Sequence, residues 1–328
     1  MDILETAIDS KRNIKANSLA AYITSIKKLH GGVVGGEFED LEFLDDTDKV
    51  MEWLGNKAIS PPKNYVAAII VSLDAMNGDH ENDEILATYR GILDDIQEKF
   101  VKDYDSGEKS ERQEKNWVSM LELKKAMARV KMEITERGIL SKTILNNKEL
   151  MLLQRYVIAN LFLTPENPPT RLDYAPMEVI SAAKHKELDP DEQKEQNYLV
   201  VTSRNVKHFH FNEYKTFSTY GENVVKVGKK LNSVLNIWLK FNKNESLLLN
   251  TRGGALSSNG LGKQIRLAFI STGKDVSVNI LRHVFLSEKY PREKADEREI
   301  DAKLMGHSVE QQKDYSKRQS SSSPSGSL

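Results

Sequence analysis

Apolar residues recur at helical spacing through the first hundred positions. Leu19, Tyr22, Ile23, Ile26 and Leu29 form one such stripe, and Ile85, Tyr89, Ile92, Leu93, Ile96 and Phe100 form another. Between them, Pro61 and Pro62 open a helix running through Tyr65, Ile69, Ile70 and Leu73. The run DYDSGEKSERQEKN, residues 103–116, has no apolar residue after Tyr104 and reads as a linker. Two further helices are predicted, from Trp117 to about Ile134 and from Lys148 to Leu163. The second contains LMLLQRYVIANLFL, apolar enough to require burial on most sides. From Tyr198 to Val227 the pattern changes to alternation rich in Val, Phe, Tyr and Thr, which predicts a small antiparallel sheet of about three strands. Helices return from Leu231 onward. The predicted fold class is therefore mainly α with a small antiparallel β-sheet (α+β). It comprises a helical domain over 1–102, a linker over 103–116, a second domain over 117–318 and a disordered Ser-rich tail over 319–328.

Composition narrows the chemistry. The 328 residues are 39% hydrophobic and 29% charged, and no apolar run is long enough to span a bilayer. The N-terminus MDILETAIDSKRN lacks the pattern of a secretion signal, so an intracellular protein is expected. There are no cysteines, so a covalent mechanism would have to use oxygen or nitrogen. The net charge of -1 hides a division: residues 1–100 carry 10 Lys+Arg against 19 Asp+Glu, and residues 201–243 carry eight Lys+Arg (Arg204, Lys207, Lys215, Lys226, Lys229, Lys230, Lys240, Lys243) against Glu213 and Glu222. Arg204, Lys226, Lys229 and Lys230 are candidates for nucleic-acid phosphates. In the first domain Lys11, Arg12, Lys15, Lys27 and Lys28 cluster on or beside the first stripe, while acids crowd 37–48 and 79–84. A polyanion could touch only one face there.

The candidate chemistry lies at helix starts and turns. Ser308 and Gln311 have capping-box spacing, so a helix beginning at Val309 would carry Tyr315 about two turns in, with His307 just outside the cap. VSVNILRHVFLSEKYP predicts a helix starting near Asn279 and stopped by Pro291, with Asn279 and Arg282 on one face at its positive end. In TPENPPTRLDYAPM, Thr170 to Asp173 predicts a third helix start with Arg171 in its first turn. Arginines beside helix N-termini suit the non-bridging oxygens of a phosphate, and Lys215, on an edge or turn of the sheet, suits proton delivery. His208 and His210 share a strand face and could touch a metal, but they lack a nearby third ligand and read as surface residues. Gly253-Gly254 reads as a turn.

Arg171, Lys215, Asn279-Ile-Leu-Arg282-His283, Leu304-Met-Gly-His307 and Tyr315, in that order and at those intervals, resemble the tyrosine recombinase (phage-integrase-type) family. The phrases PPTRLDYAPM and YKTFSTYG further resemble recombinases of large DNA viruses, virophages and related mobile elements. The resemblance implies a helical core-binding domain and a catalytic domain closing around double-stranded DNA, a homotetramer on paired sites, and cleavage through a 3′-phosphotyrosyl link without metal or ATP. In it Arg171 and Arg282 clamp the scissile phosphate, Lys215 protonates the leaving 5′ oxygen, His307 hydrogen-bonds the phosphate and Tyr315 is the nucleophile. Asn279 stands where the family usually has histidine, so it could hydrogen-bond but not transfer a proton. The interval from His307 to Tyr315 is one residue short of the common pattern, and Asp173 is one position from the family's usual acidic residue. A type IB topoisomerase and a catalytically inactive DNA-binding relative are the alternatives. The place of action would be at DNA, in a host nucleus or a viral replication compartment, with no membrane association and no cofactor.

Overall fold

A computed structural model of the chain describes residues 2–12, 14, 16–55, 62–76, 84–105, 109–290, 295–306 and 308. The chain divides into two units, Met1–Ser106 and Gly107–Leu328. The first holds α1 (Asp2–Arg12), α2 (Ala16–Val33), α3 (Thr47–Gly55), α4 (Pro62–Met76) and α5 (Glu84–Asp105). Its core is built from the periodic residues: Leu19, Ile23, Ile26 and Leu29 of α2 join Val66, Ile69, Ile70 and Leu73 of α4 and Tyr89 of α5. Tyr89 is buried with its hydroxyl donating to the Leu44 carbonyl at 2.8 Å, which satisfies the one polar atom such a ring brings inside. Lys11, Arg12 and Arg90 converge on Asp74, and the hydrogen bond from Arg12 holds that carboxyl below its usual range. Two of the cations offered by the sequence, Lys11 and Arg12, are thus paired with a carboxylate of the protein although both stay exposed. Lys27 and Lys28 are exposed on α2, and Lys15 lies outside the described residues.

The second unit begins with α6 (Glu111–Asn116), α7 (Met120–Glu136) and α8 (Asn147–Leu163). Each starts at a capping box, on Ser110, Ser119 and Asn146 respectively. Part of the polar run 103–116 is therefore helical: α5 continues to Asp105 and α6 fills the last six positions. Helix α8 is buried along most of its length, as its composition requires. Of its deeply buried amides, Gln154 both donates to the Leu249 carbonyl at 2.9 Å and accepts from the Leu249 amide at 2.7 Å, and Asn160 donates to the Tyr156 carbonyl at 2.7 Å.

Next come β1 (Glu178–Ser181), α9 (Ala182–Glu187), α10 (Glu192–Glu195), β2 (Tyr198–Val201), β3 (Lys207–Phe211), α11 (Phe217–Tyr220) and β4 (Asn223–Lys226). The sheet order is β1-β2-β3-β4; β2, β3 and β4 are antiparallel, whereas β1 runs parallel to β2. The sheet is therefore mixed and four-stranded, not antiparallel with three strands. Strand β1 has only Val179 and Ile180 as apolar residues, too short a run to carry a two-residue period. The chain then continues through α12 (Lys229–Phe241), α13 (Ser258–Ala268), α14 (Val278–Lys289) and α15 (Ala295–Leu304). One core joins α7, α8, the sheet, α12, α13 and α14 around Trp238 and Phe162. Among the described residues no helix is long and apolar enough to cross a membrane.

Lys207 is not part of the positive surface that charge counting suggested. It alternates with Phe209 and Phe211 on the buried side of β3, and its ammonium donates to Asn205 at 2.8 Å, Asn232 at 3.0 Å and Asn236 at 2.5 Å. Burial among these neutral carbonyls lowers its pKa. The lysine pins β3 to α12. Lys207→Met, which keeps the length of the chain but removes every donor, is expected to cost about 3 kcal/mol in denaturant unfolding; a change below about 0.5 kcal/mol would contradict this role.

Candidate functional site

Arg171 is partly buried in the turn between α8 and β1. The helix start predicted at Thr170 is absent. The Ala175 amide donates to the Leu172 carbonyl at 3.0 Å, closing a single turn. The Asp173 carboxylate accepts from the Arg171 amide at 3.1 Å. Pro176 turns Ala175 away from helical geometry, and β1 starts two residues later, so a helix has no room. Tyr174 anchors the turn: it is buried, with edge contacts to Phe162, Phe209 and Phe211 at 5.6, 5.1 and 5.6 Å.

Asn197 ties this turn to the hairpin that carries Lys215. Its side-chain amide donates to the carbonyls of Asp173 and Glu213, both at 3.0 Å. Its oxygen accepts from the amides of Asn212 and Glu213, both at 2.8 Å. Asn197 is fully buried, and nothing in its local sequence marks it. Lys215 follows two residues after Glu213, exposed in the turn between β3 and α11. The hairpin in turn grips the end of α15. The Thr216 hydroxyl donates to the Gly306 carbonyl, and Asn223 donates to the Leu304 carbonyl at 3.0 Å. Gly306 has φ +65° and a Cβ there would lie 2.6 Å from the Tyr214 ring, so only glycine fits this close approach. The next residue, His307, and also Tyr315 lie outside the described residues.

Arg282 is on α14, which starts at Val278 under a Ser277 cap, beside Asn279 as expected. Arg282 is fully buried and Asn279 is exposed. Their spacing of three places them on neighbouring turns but not at one depth. Further along, Asp301 of α15 accepts from Lys289 at 2.5 Å and from the Tyr290 hydroxyl, which fixes α15 to the end of α14. Asp173 links the two arginines. Burial raises its pKa, and the Arg171 amide together with the charges of Arg171 and Arg282 opposes the rise. Both arginines thus lie within electrostatic reach of one carboxylate, although they are far apart in sequence. Guanidiniums that share one carboxylate's surroundings supply the fork-shaped donors that suit a tetrahedral anion.

The sign of the Asp173 shift gives a test. A carboxyl whose pKa is raised on folding contributes most to stability below its unfolded value, and that contribution falls as pH rises through the folded value. Asp173→Asn removes this decline. Unfolding free energies followed from about pH 3 to about pH 7 are expected to move in favour of the variant as pH rises; a constant difference would contradict the shift.

The remaining candidates are distributed more widely. Arg204 is exposed in the β2–β3 turn, Lys226 ends β4, and Lys229 and Lys230 occupy the exposed first turn of α12. His283 accepts a hydrogen bond from Gln113 at 3.0 Å. His210 pairs with Glu222 at 2.7 Å and its ring lies 4.8 Å from that of His185. Among the described residues no group of three or more His, Asp or Glu side chains could hold a metal ion. Gly253 and Gly254 form a turn around Asn250.

No protein-family model and no curated protein matches the chain. Solved structures do. A lambda integrase tetramer bound to a Holliday junction is similar over 97% of this chain and 78% of its own, with TM-score 0.54 and 13% identity. A lambda integrase dimer bound to a COC′ core site is similar over 95% and 76%, with TM-score 0.50 and 14% identity. The XerA recombinase aligns over 98% and 94% with TM-score 0.40 and 12% identity. The chain has the integrase fold.

Proposed function

We propose that this chain is a site-specific tyrosine recombinase that cleaves and rejoins duplex DNA through a 3′-phosphotyrosyl intermediate. What supports the reading is the bonding of the Lys215 hairpin through Asn197 to the Arg171 turn, with Arg171 and Arg282 both within electrostatic reach of Asp173 in that turn. The integrase fold and the ordered motif from Arg171 to Tyr315 support it.

In this mechanism the Tyr315 phenol gives its proton to water and its oxygen attacks phosphorus, forming the tyrosyl–phosphate bond as the bond to the 5′ oxygen breaks. Lys215 gives its proton to that leaving oxygen. Arg171 and Arg282 neutralise the charge developing on the non-bridging oxygens, His307 hydrogen-bonds one of them, and Asn279 supplies an amide hydrogen bond at the entrance. The covalent link conserves the phosphodiester's energy, so a free 5′ hydroxyl from another strand reverses the step. Strand exchange would assemble four copies on paired sites, as the resemblance implies. Lys27 and Lys28 in the first unit, and Arg204, Lys226, Lys229 and Lys230 in the second, would meet backbone phosphates, giving binding that weakens steeply with salt.

The test is incubation with a nicked duplex covering the ends of the protein's own element, where the short fragment beyond the cleaved bond diffuses away. A covalent protein–DNA adduct at a 3′ phosphate is expected. DNA binding without an adduct would leave an inactive relative, and relaxation of supercoiled plasmid at any sequence would favour a topoisomerase.

A further inference from the structure

Helix α6 is too short to be stable alone, so its position is set by its bonds. The Gln113 carbonyl completes the Ser110 capping box, accepting from the Ser110 amide at 2.9 Å. That fixes the orientation of the amide and leaves its N–H group to donate to Nε2 of His283 at 3.0 Å. The same segment reaches α14 elsewhere. Lys274, in the loop that enters α14, donates to the Lys115 carbonyl at 2.9 Å. The Asp275 amide donates to the Asn116 side chain at 3.1 Å. Near the far end, Glu288 accepts from the Met120 amide at 3.0 Å. The Lys109 ammonium lies over the Trp117 ring at 4.3 Å and pairs with Glu114, consolidating the segment.

Residues 109–120 thus hold α14 at its entrance, middle and last turn. His283 immediately follows Arg282, and adjacent helical residues diverge by about 100° around the axis. Fixing the His283 ring on one side sets the rotation of α14 and so the direction in which Arg282 points. We propose that Gln113, acting through His283, is a positioning residue for Arg282. This rests on the reading of Arg282 as a phosphate ligand.

The experiment measures single-turnover cleavage of the nicked duplex and DNA affinity for the full-length protein and for Gln113→Leu, Gln113→Glu, His283→Leu and Arg282→Ala. Gln113→Leu and His283→Leu are expected to cleave about tenfold to a hundredfold more slowly, with DNA affinity changed less than about twofold and a cooperative melt retained. Gln113→Glu keeps the capping box and can accept from Nε2–H of His283, so it is expected to restore the rate to within about threefold of the parent. Full-rate cleavage by Gln113→Leu or His283→Leu overturns the proposal. So does a rate loss that Gln113→Glu shares, or one that runs parallel to lost DNA binding. If Arg282→Ala itself cleaves normally, the reading of the site fails instead.

Discussion

Tyr315→Phe is expected to abolish the covalent adduct on a nicked duplex while leaving DNA binding intact. The substitution removes one oxygen. With no cysteine in the chain, the nucleophile must be oxygen or nitrogen, and a phenol with an ordinary pKa of about 10 becomes a competent attacker only in a strongly positive setting. In the proposed mechanism Arg171 and Arg282 are the groups that supply that setting. Loss of the nucleophile therefore costs on the order of a thousandfold or more in cleavage, with no compensating group. Denaturing electrophoresis of the adduct reads the result directly. An adduct formed at the parent rate by Tyr315→Phe would move the nucleophile to another side chain.

Arg171→Ala and Arg282→Ala are each expected to lower cleavage by about a hundredfold to a thousandfold, the usual loss for one preorganised donor to a developing oxyanion. Lysine at either position keeps the charge but loses the planar fork, so Arg→Lys variants should recover only part of the rate. The two sites differ in what else they lose. Arg171 is partly buried in a turn held by Tyr174 and Asn197, so Arg171→Ala should leave thermal stability close to that of the parent. Arg282 is fully enclosed in α14, so its truncation also removes packing and should lower the melting temperature. Cleavage rates at saturating DNA, together with melting curves, separate chemistry from stability. Equal cleavage by either alanine variant and the parent would remove that arginine from the site.

Much of the architecture was legible because the relevant signals are local. The stripes in α2 and α5, the proline start of α4 and the apolar run of α8 each reach several turns, and the structure has helices there. The features that were not legible depend on distant partners. Strand β1 exists because β2 is there to pair with it, not because Val179 and Ile180 form a pattern. The cap-like spacing from Thr170 to Asp173 loses to Pro176 and to the strand that follows. Lys207 counts as surface charge until its three asparagine partners, two of them on α12, are in place. Asn279 and Arg282 share a spacing but not a depth, because α14 buries Arg282 against its own unit. In the candidate site, Arg171 and Lys215 are proposed from their order along the chain, and the structure adds only their surroundings. Asn197, Gly306 and Gln113 make contacts with residues distant in the chain that no window of sequence contains.

Replacing one non-bridging oxygen of the scissile phosphate by a methyl group asks most directly whether Arg171 and Arg282 serve that phosphate. A methylphosphonate carries no charge there, so the need for cationic neutralisation falls away while the tyrosine's attack is unchanged. Cleavage of this duplex by Arg171→Ala and Arg282→Ala is expected to approach the rate of the parent protein on the same substrate. If both variants remain as impaired on the neutral linkage as on the natural one, the two guanidiniums do not act on the phosphate.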